Sequence, residues 1–210
     1  MDTYKVLLVD DHELVRQGMK AAYPDVAGTP LEWLEASTLD EGLRIYQAHK
    51  PIDAVLLDLN LPDAKGLQGL RTFLHAHADA RVAVLSGAQD EFVMRQARLL
   101  GAQAYICKSG QAQAVQTTLE AMLAPQVPAR AAVLASASLF PRMPQSAVYD
   151  RVSELGPRHL EILELVLSGC TNQEISSATR LSLGTVKNYV SSLLLALDVR
   201  SRSHMISLFR

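Results

Sequence analysis

Asp10, Asp11, Asp58, Ser86 and Lys108 are the residues whose types and places in the chain suit a shared reaction. Each stands at or just past the end of a short apolar run: Val6–Val9, Ala54–Leu57, Val82–Leu85 and Ala104–Ile106. If those runs are parallel strands of one sheet, the five groups converge at its carboxyl end, where open α/β sheets collect ligands beside the reversal of strand order. Three carboxylates packed together repel unless a cation lies among them, and hard oxygen donors with room for water suit magnesium or manganese. With the metal and Lys108 neutralising charge, Asp58 is placed to attack phosphorus. The acyl phosphate formed would be held by the metal, Lys108 and the Ser86 hydroxyl.

The elements that must position these groups are legible as a pattern. The four runs and a fifth, Leu31–Glu35, read as strands buried on both faces. They alternate with segments of helical spacing: Leu14–Ala22, Leu39–His49, Leu67–His77, Phe92–Leu100 and Ala112–Leu123. The alternation predicts an α/β fold, a doubly wound five-stranded parallel sheet. Asp40 and Ser109 are read as helix caps and Gly101 as the stop of the fourth helix. Asp63 and Lys65 are expected to solvate the loop after Asp58, and His75 and His77 a helix end. None of the six histidines shows metal-ligand spacing supported by other ligands, and Cys107 reads as a small buried side chain.

Two hundred and ten residues suffice for two small domains. No apolar run approaches a membrane span and the start lacks a signal-peptide pattern, so a cytoplasmic protein is expected, with no membrane partner. Two cysteines give neither a disulfide scaffold nor a metal knuckle. Residues 1–124 carry 11 Lys/Arg against 16 Asp/Glu, whereas residues 151–210 carry 7 against 5. An acidic front and a mildly basic tail suggest two different jobs. Between them, Pro125, Pro128, Pro141 and Pro144 mark 125–150 as a linker in which Arg130–Leu139 has room for a short helix. Beyond it, Pro157–Leu167, Asn172–Ala178, Leu183–Leu197 and Ser203–Phe209 read as four helices, a compact all-α module containing a helix-turn-helix.

Val9-Asp10-Asp11, Asp58-Leu59-Asn60-Leu61-Pro62 with Gly66, Ser86-Gly87 and Tyr105-Ile106-Cys107-Lys108 resemble the motif set of two-component receiver domains, which are flavodoxin-like, over Met1–Leu123. The resemblance implies that Asp58 is the phosphoacceptor, Asp11 a direct metal ligand, Asp10 a ligand acting mainly through water, and Asn60 a ligand through its backbone carbonyl. It also implies that Ser86 and Tyr105 form a switch pair. Leu61 in place of Met and Gly87 in place of Ala are departures that remove no chemical group the mechanism uses.

In the tail, Val186, Val190, Leu193 and Leu197 form one apolar stripe, leaving Thr185, Lys187, Asn188, Ser191 and Ser192 on other faces. A helix bearing short polar groups and a cation near its N-terminus suits a major groove. Gly156-Pro157-Arg158, Thr171-Asn172-Gln173-Glu174-Ile175, Thr185-Val186-Lys187-Asn188 and Leu197-Asp198-Val199-Arg200-Ser201-Arg202 resemble the LuxR-type helix-turn-helix. The whole chain is thus similar to NarL/FixJ-type response regulators, which implies a sensor histidine kinase as donor, DNA as target and a homodimer on phosphorylation. Thr185, Lys187, Asn188, Ser191, Arg200 and Arg202 are the expected DNA contacts, with Arg158 and Arg180 as further phosphate candidates. Basic groups common in the family are missing at Gly184, Ser192 and Ala196. A tail that binds a protein partner instead therefore stays open, and Leu194-Leu195 adds apolar surface. A phosphatase-like hydrolase is disfavoured because Asn60, not a carboxylate, stands two residues after Asp58.

Overall fold

The computed structural model describes residues 3–87, 91–108, 112–124, 139–140, 152 and 155–209. The chain forms two compact units. The first is built on β1 (Tyr4–Val9), β2 (Asp25–Val26), β3 (Thr29–Ala36), β4 (Ala54–Asp58), β5 (Val82–Ser86) and β6 (Ala104–Cys107). Around them lie α1 (Glu13–Ala22), α2 (Leu39–Ala48), α3 (Gln68–Ala76), α5 (Ala112–Leu123) and, from Gln96 on, α4 (Glu91–Leu99). Sheet order is β2-β3-β1-β4-β5-β6, with every pairing parallel except β2 to β3. The central strands have no exposed residue because helices cover both faces, which is why their sequences are nearly unbroken apolar runs. Val6, Leu8, Ala54, Leu56, Ala83, Leu85, Ala104 and Ile106 face Val115, Leu119 and Met122 of α5. On the opposite face α2 sits so close that a Cβ at Gly42 would lie 2.9 Å from a Val9 methyl.

Five strands and five helices fall where the apolar periodicity places them. The sixth strand, β2, is an addition: Ala27 (φ 51°) and Gly28 (φ 80°) form a two-residue turn that folds Asp25–Val26 back on Thr29–Pro30. Left-handed conformation at both turn residues is the geometry whose twist matches a tight hairpin. The caps differ as well. α2 is capped by Thr38, whose hydroxyl accepts from the Glu41 amide at 3.2 Å, while Asp40 pairs outward with Arg44. Asp63 does more than solvate its loop: its carboxylate accepts from the Leu39 and Asp40 amides at 2.9 and 3.0 Å. It thereby serves two donors that have no partner inside the helix. Asp63→Ala should destabilise the first unit by about 1–2 kcal/mol in denaturant unfolding, whereas an unchanged midpoint would show the cap to be idle. Ser109 lies outside the described residues. Gly101, at φ 105°, closes α4 as expected, with the Ala102 amide donating back to the Ala97 carbonyl.

His77 is not solvated: it is buried and stacks against Tyr46 at 4.5 Å, beside Phe73. Of the stretch read as a linker, Leu139 and Phe140 are packed, Leu139 against the α5-side core and Phe140 only 5% exposed. The expected helix over 130–139 falls outside the described residues except for Leu139, which stands in a turn.

The second unit holds α6 (Pro157–Leu167), α7 (Asn172–Thr179), α8 (Leu183–Ala196) and α9 (Arg202–Leu208). Local chemistry starts each of the last three. Thr171 and Glu174 form a reciprocal capping box on α7, Ser182 caps α8 and Ser201 caps α9. A three-residue turn with Arg180 left-handed (φ 55°) joins α7 to α8. The Val186, Val190, Leu193 and Leu197 stripe is buried with Ile162, Val166, Ile175 and Met205. Among the described residues no helix is long and apolar enough to cross a membrane.

Candidate functional site

Strand ends place the pocket. Asp10 follows β1 fully buried, fixed by its amide on the Ala36 carbonyl and by Arg16, which donates to its backbone oxygen at 2.7 Å. Asp58 ends β4 at 2% exposure. One rung beyond β6, the Lys108 amide donates to the Ser86 carbonyl, which turns the lysine over the carboxylates. Its ammonium lies 2.7 Å from Asp10 Oδ2 and 2.9 Å from Asp58 Oδ2. At these distances the one ammonium pairs with both buried carboxylates.

Burial pushes the Asp58 carboxyl above its ordinary value; Lys108 and the Asn60 amide pull it down and Asp10 raises it again, and burial prevails. Burial works to lower Lys108, but its carboxylate partners outweigh that and leave it raised. The corner therefore holds an ammonium facing more negative charge than it can neutralise. Asp11, at the exposed lip, and His12 complete it. Contrary to the reading from spacing, His12 joins the acidic group: its Nδ1 lies 2.8 Å from Asp11 and 3.2 Å from Asp10, and ligand atoms of Asp10, Asp11, His12 and Asp58 all fall within 4.8 Å of one another. Spacing rules miss it because His12 is brought in by the turn after Asp11, where its own amide caps Asp10 Oδ1 at 2.9 Å. This oxygen-dominated, under-neutralised donor set fits a hard divalent cation.

Ser86 and Tyr105 lie on the face away from α5, Ser86 opposite Cys107 and Tyr105 opposite Val84, hence diagonal neighbours on β5 and β6. Both are buried. Cys107 is buried too, as expected.

In the helical unit, Lys187, Asn188 and Ser191 are exposed on α8 and Arg200 just beyond it. Thr185 spends its hydroxyl on Ser182 at 2.7 Å. Ser192 meets His159 at 3.1 Å, and the His159 ring stands edge-on to Tyr189, so these two side chains jointly tie α8 to α6. Arg158 is engaged with Glu161. Arg202 requires correction as a candidate DNA contact. Its guanidinium turns inward, donating to Asn172 Oδ1 at 3.1 Å and to the Cys170 carbonyl, so it staples α9 to the turn before α7. Burial pulls its pKa down. Leu194, Leu195, Asp198, Val199, Arg200 and His204 line an open groove, with Leu195 standing 83% exposed.

A parallel sheet whose carboxyl end gathers paired aspartates around one lysine defines a receiver-type domain, and residues 6–120 match the family described as response regulator receiver domain. Residues 153–209 match the bacterial regulatory proteins of the luxR family. The chain belongs to the response regulators that join a receiver to a LuxR-type helical module. It is similar to the glycerol metabolism activator of Pseudomonas putida, 30% identical over 208 residues covering 97% of this chain and 93% of that protein. It is also similar to the DNA-binding transcriptional activator DevR/DosR of Mycobacterium tuberculosis, 33% identical over 208 residues covering 95% and 90%. RcsB from Salmonella enterica serovar Typhimurium, solved bound to promoter rprA with phosphomimetic BeF3-, shares the fold: TM-score 0.71 at 16% identity, covering 99% of this chain and 98% of that one.

Proposed function

We propose that the chain is a cytoplasmic transcription regulator switched by phosphorylation of Asp58, with residues 1–124 as receiver, 125–150 as connector and 151–210 as DNA-binding module. The reading rests above all on Asp58, a buried carboxylate ending β4 with Lys108 at 2.9 Å. A sensor histidine kinase is the donor. An Asp58 oxygen attacks the phosphorus of its phosphohistidine, the new P–O bond forms as the P–N bond breaks, and the imidazole leaves. Lys108 and the Ser86 hydroxyl then hold the phosphoryl oxygens. Asp10, Asp11, Asp58 and the Asn60 carbonyl would hold Mg2+ or Mn2+, which supplies the charge neutralisation that phosphoryl transfer needs. The chain turns over no external substrate; its only chemistry is self-catalysed transfer to and from Asp58. Ser86 moves to the phosphoryl group, Tyr105 follows into the space, and the population shifts to a homodimer.

The tail binds DNA through Lys187 and Asn188 at base edges, with Thr185 and Ser191 beside them and Arg200 and Arg180 on phosphates. The name of the Mycobacterium tuberculosis relative, a DNA-binding transcriptional activator, favours DNA over a protein partner. With Arg202 engaged internally, Lys187, Arg200 and Arg180 remain as the cations near DNA, so log affinity against log salt should fall with a slope of roughly −3 per monomer. Lys187→Ala should cost about 1–3 kcal/mol and relax specificity at one base pair. Retention of genomic DNA fragments by the phosphorylated chain across a salt series measures both. No retention even at low salt would overturn the DNA reading in favour of a protein partner.

A further inference from the structure

His12 brings a nitrogen to a pocket otherwise built from carboxylates. The ring is steered there by its own backbone: the His12 amide donates to Asp10 Oδ1 at 2.9 Å, and the side chain turns back so that Nδ1 lies 3.2 Å from that same oxygen and 2.8 Å from Asp11 Oδ1. Three electron-rich atoms this close need a positive charge among them, a shared proton or a cation. The spacing suits a cation. Ligands held at about 2.1 Å in an octahedral shell stand about 3 Å from their neighbours and about 4.2 Å from the ligand opposite. Nδ1 meets the first figure with both oxygens, and ligand atoms of Asp10, Asp11, His12 and Asp58 all fall within 4.8 Å of one another. Deeper in, Asp10 is fully buried and Asp58 2% exposed, and the two share the single ammonium of Lys108, so the negative charge that a cation would balance is fixed by the sheet.

We propose that His12 Nδ1 is a ligand of the pocket's cation and that it tilts the site from magnesium toward a first-row transition ion. This rests on the reading of the pocket as a divalent-cation site given above; the choice among ions does not follow from that reading. Magnesium favours oxygen donors and gives up water reluctantly, so an imidazole nitrogen gains it little, whereas imidazole suits the transition ions. His12 stands at the lip with its side chain 63% exposed, so its nitrogen approaches from the solvent side, where water would otherwise fill the shell, while Asp10 and Asp58 approach from within. No step of phosphoryl transfer is assigned to His12. Its part is to select the ion that supports the transfer.

Manganese is the most weakly bound ion of that row and so the strictest probe. Titrating the full, unphosphorylated chain with Mn2+ by electron paramagnetic resonance and displacing it with Mg2+ gives the ratio of the two affinities, and nitrogen modulation of the bound ion's electron spin echo reports whether an imidazole is coordinated. The unsubstituted chain should show the nitrogen signal. His12→Ala should abolish it and lower the Mn2+-to-Mg2+ affinity ratio about tenfold or more, while the Mg2+ affinity itself changes about twofold or less. His12→Asn, which still has a donor for Asp11 but no imidazole, should behave as His12→Ala does. Because the ring is mostly exposed, neither variant removes core packing. Bound Mn2+ without nitrogen modulation, a nitrogen signal that survives His12→Ala, or an affinity ratio that His12→Asn restores would each overturn ligation by His12 and leave the cation reading of the pocket standing. A chain that binds neither Mn2+ nor Mg2+ would strike that reading and the ligation with it.

Discussion

Asp58→Asn should lose all phosphate uptake: intact-mass measurement after acetyl phosphate and Mg2+ should show one added phosphoryl group on the unsubstituted chain and none on the variant. The expectation is all-or-none because no neighbour can take over. Asp10 is fully buried with its side-chain oxygens turned to Lys108 and the His12 amide, and Asp11 lies at the exposed lip rather than at the strand end beneath Lys108. Phosphate mapped to any other residue would remove Asp58 from its role. The same variant should also be more stable without metal at neutral pH. The folded-state pKa of Asp58 is raised, so the group favours folding only in acid, and above its folded pKa the ionised carboxylate counts against the native state. Asn keeps the shape and drops the charge, while Lys108 retains Asp10. The gain should shrink as pH falls through the raised folded-state pKa. A variant less stable than the parent at neutral pH would mean that the Lys108 pair outweighs the burial of Asp58.

Arg202→Ala should cost the helical unit about 2–4 kcal/mol, since two charge-assisted hydrogen bonds are lost and the Cys170 carbonyl is left without this donor. Arg202→Lys should recover little, because one ammonium on a flexible stem cannot span both acceptors as a planar guanidinium does. Urea unfolding of the full chain with amide exchange read in α6 to α9 measures the loss. The alternative, a phosphate contact, makes the opposite forecast: unchanged stability and a salt slope for DNA reduced by about one.

The pocket was legible in the sequence because strand ends are local signals: an apolar run followed by Asp, Ser or Lys announces both the strand and the chemistry at its tip. What could not be read was contact across distance. Asp63 reaches 24 residues back to cap α2, so the nearer Asp40 looked like the cap. Arg202 has the type and exposure pattern of a phosphate ligand until the fold brings the Cys170 carbonyl and Asn172 to it. His77 likewise depends on Tyr46 arriving from α2. β2 escaped notice for a different reason: two residues are too short for any periodicity, and only Gly28 hints at the turn. The tail's helices were legible through their caps and apolar stripe, whereas the His159 link to Ser192 and Tyr189 needed the packing of α6 on α8.

The small hairpin at the start of β3 bears on how this protein behaves when concentrated. Besides β2 itself, the Leu31 amide is taken by the Pro24 carbonyl, and the Trp33 indole donates to the Tyr23 carbonyl. Pro30 offers no amide at all. The first half of the outermost long strand is therefore covered, and its Glu32 is exposed. A neighbouring copy approaching that rim meets a covered strand start and a charged side chain, both of which hinder strand-by-strand aggregation. A two-residue turn, the short strand it folds back and a proline thus blunt the edge at which strand pairing would begin.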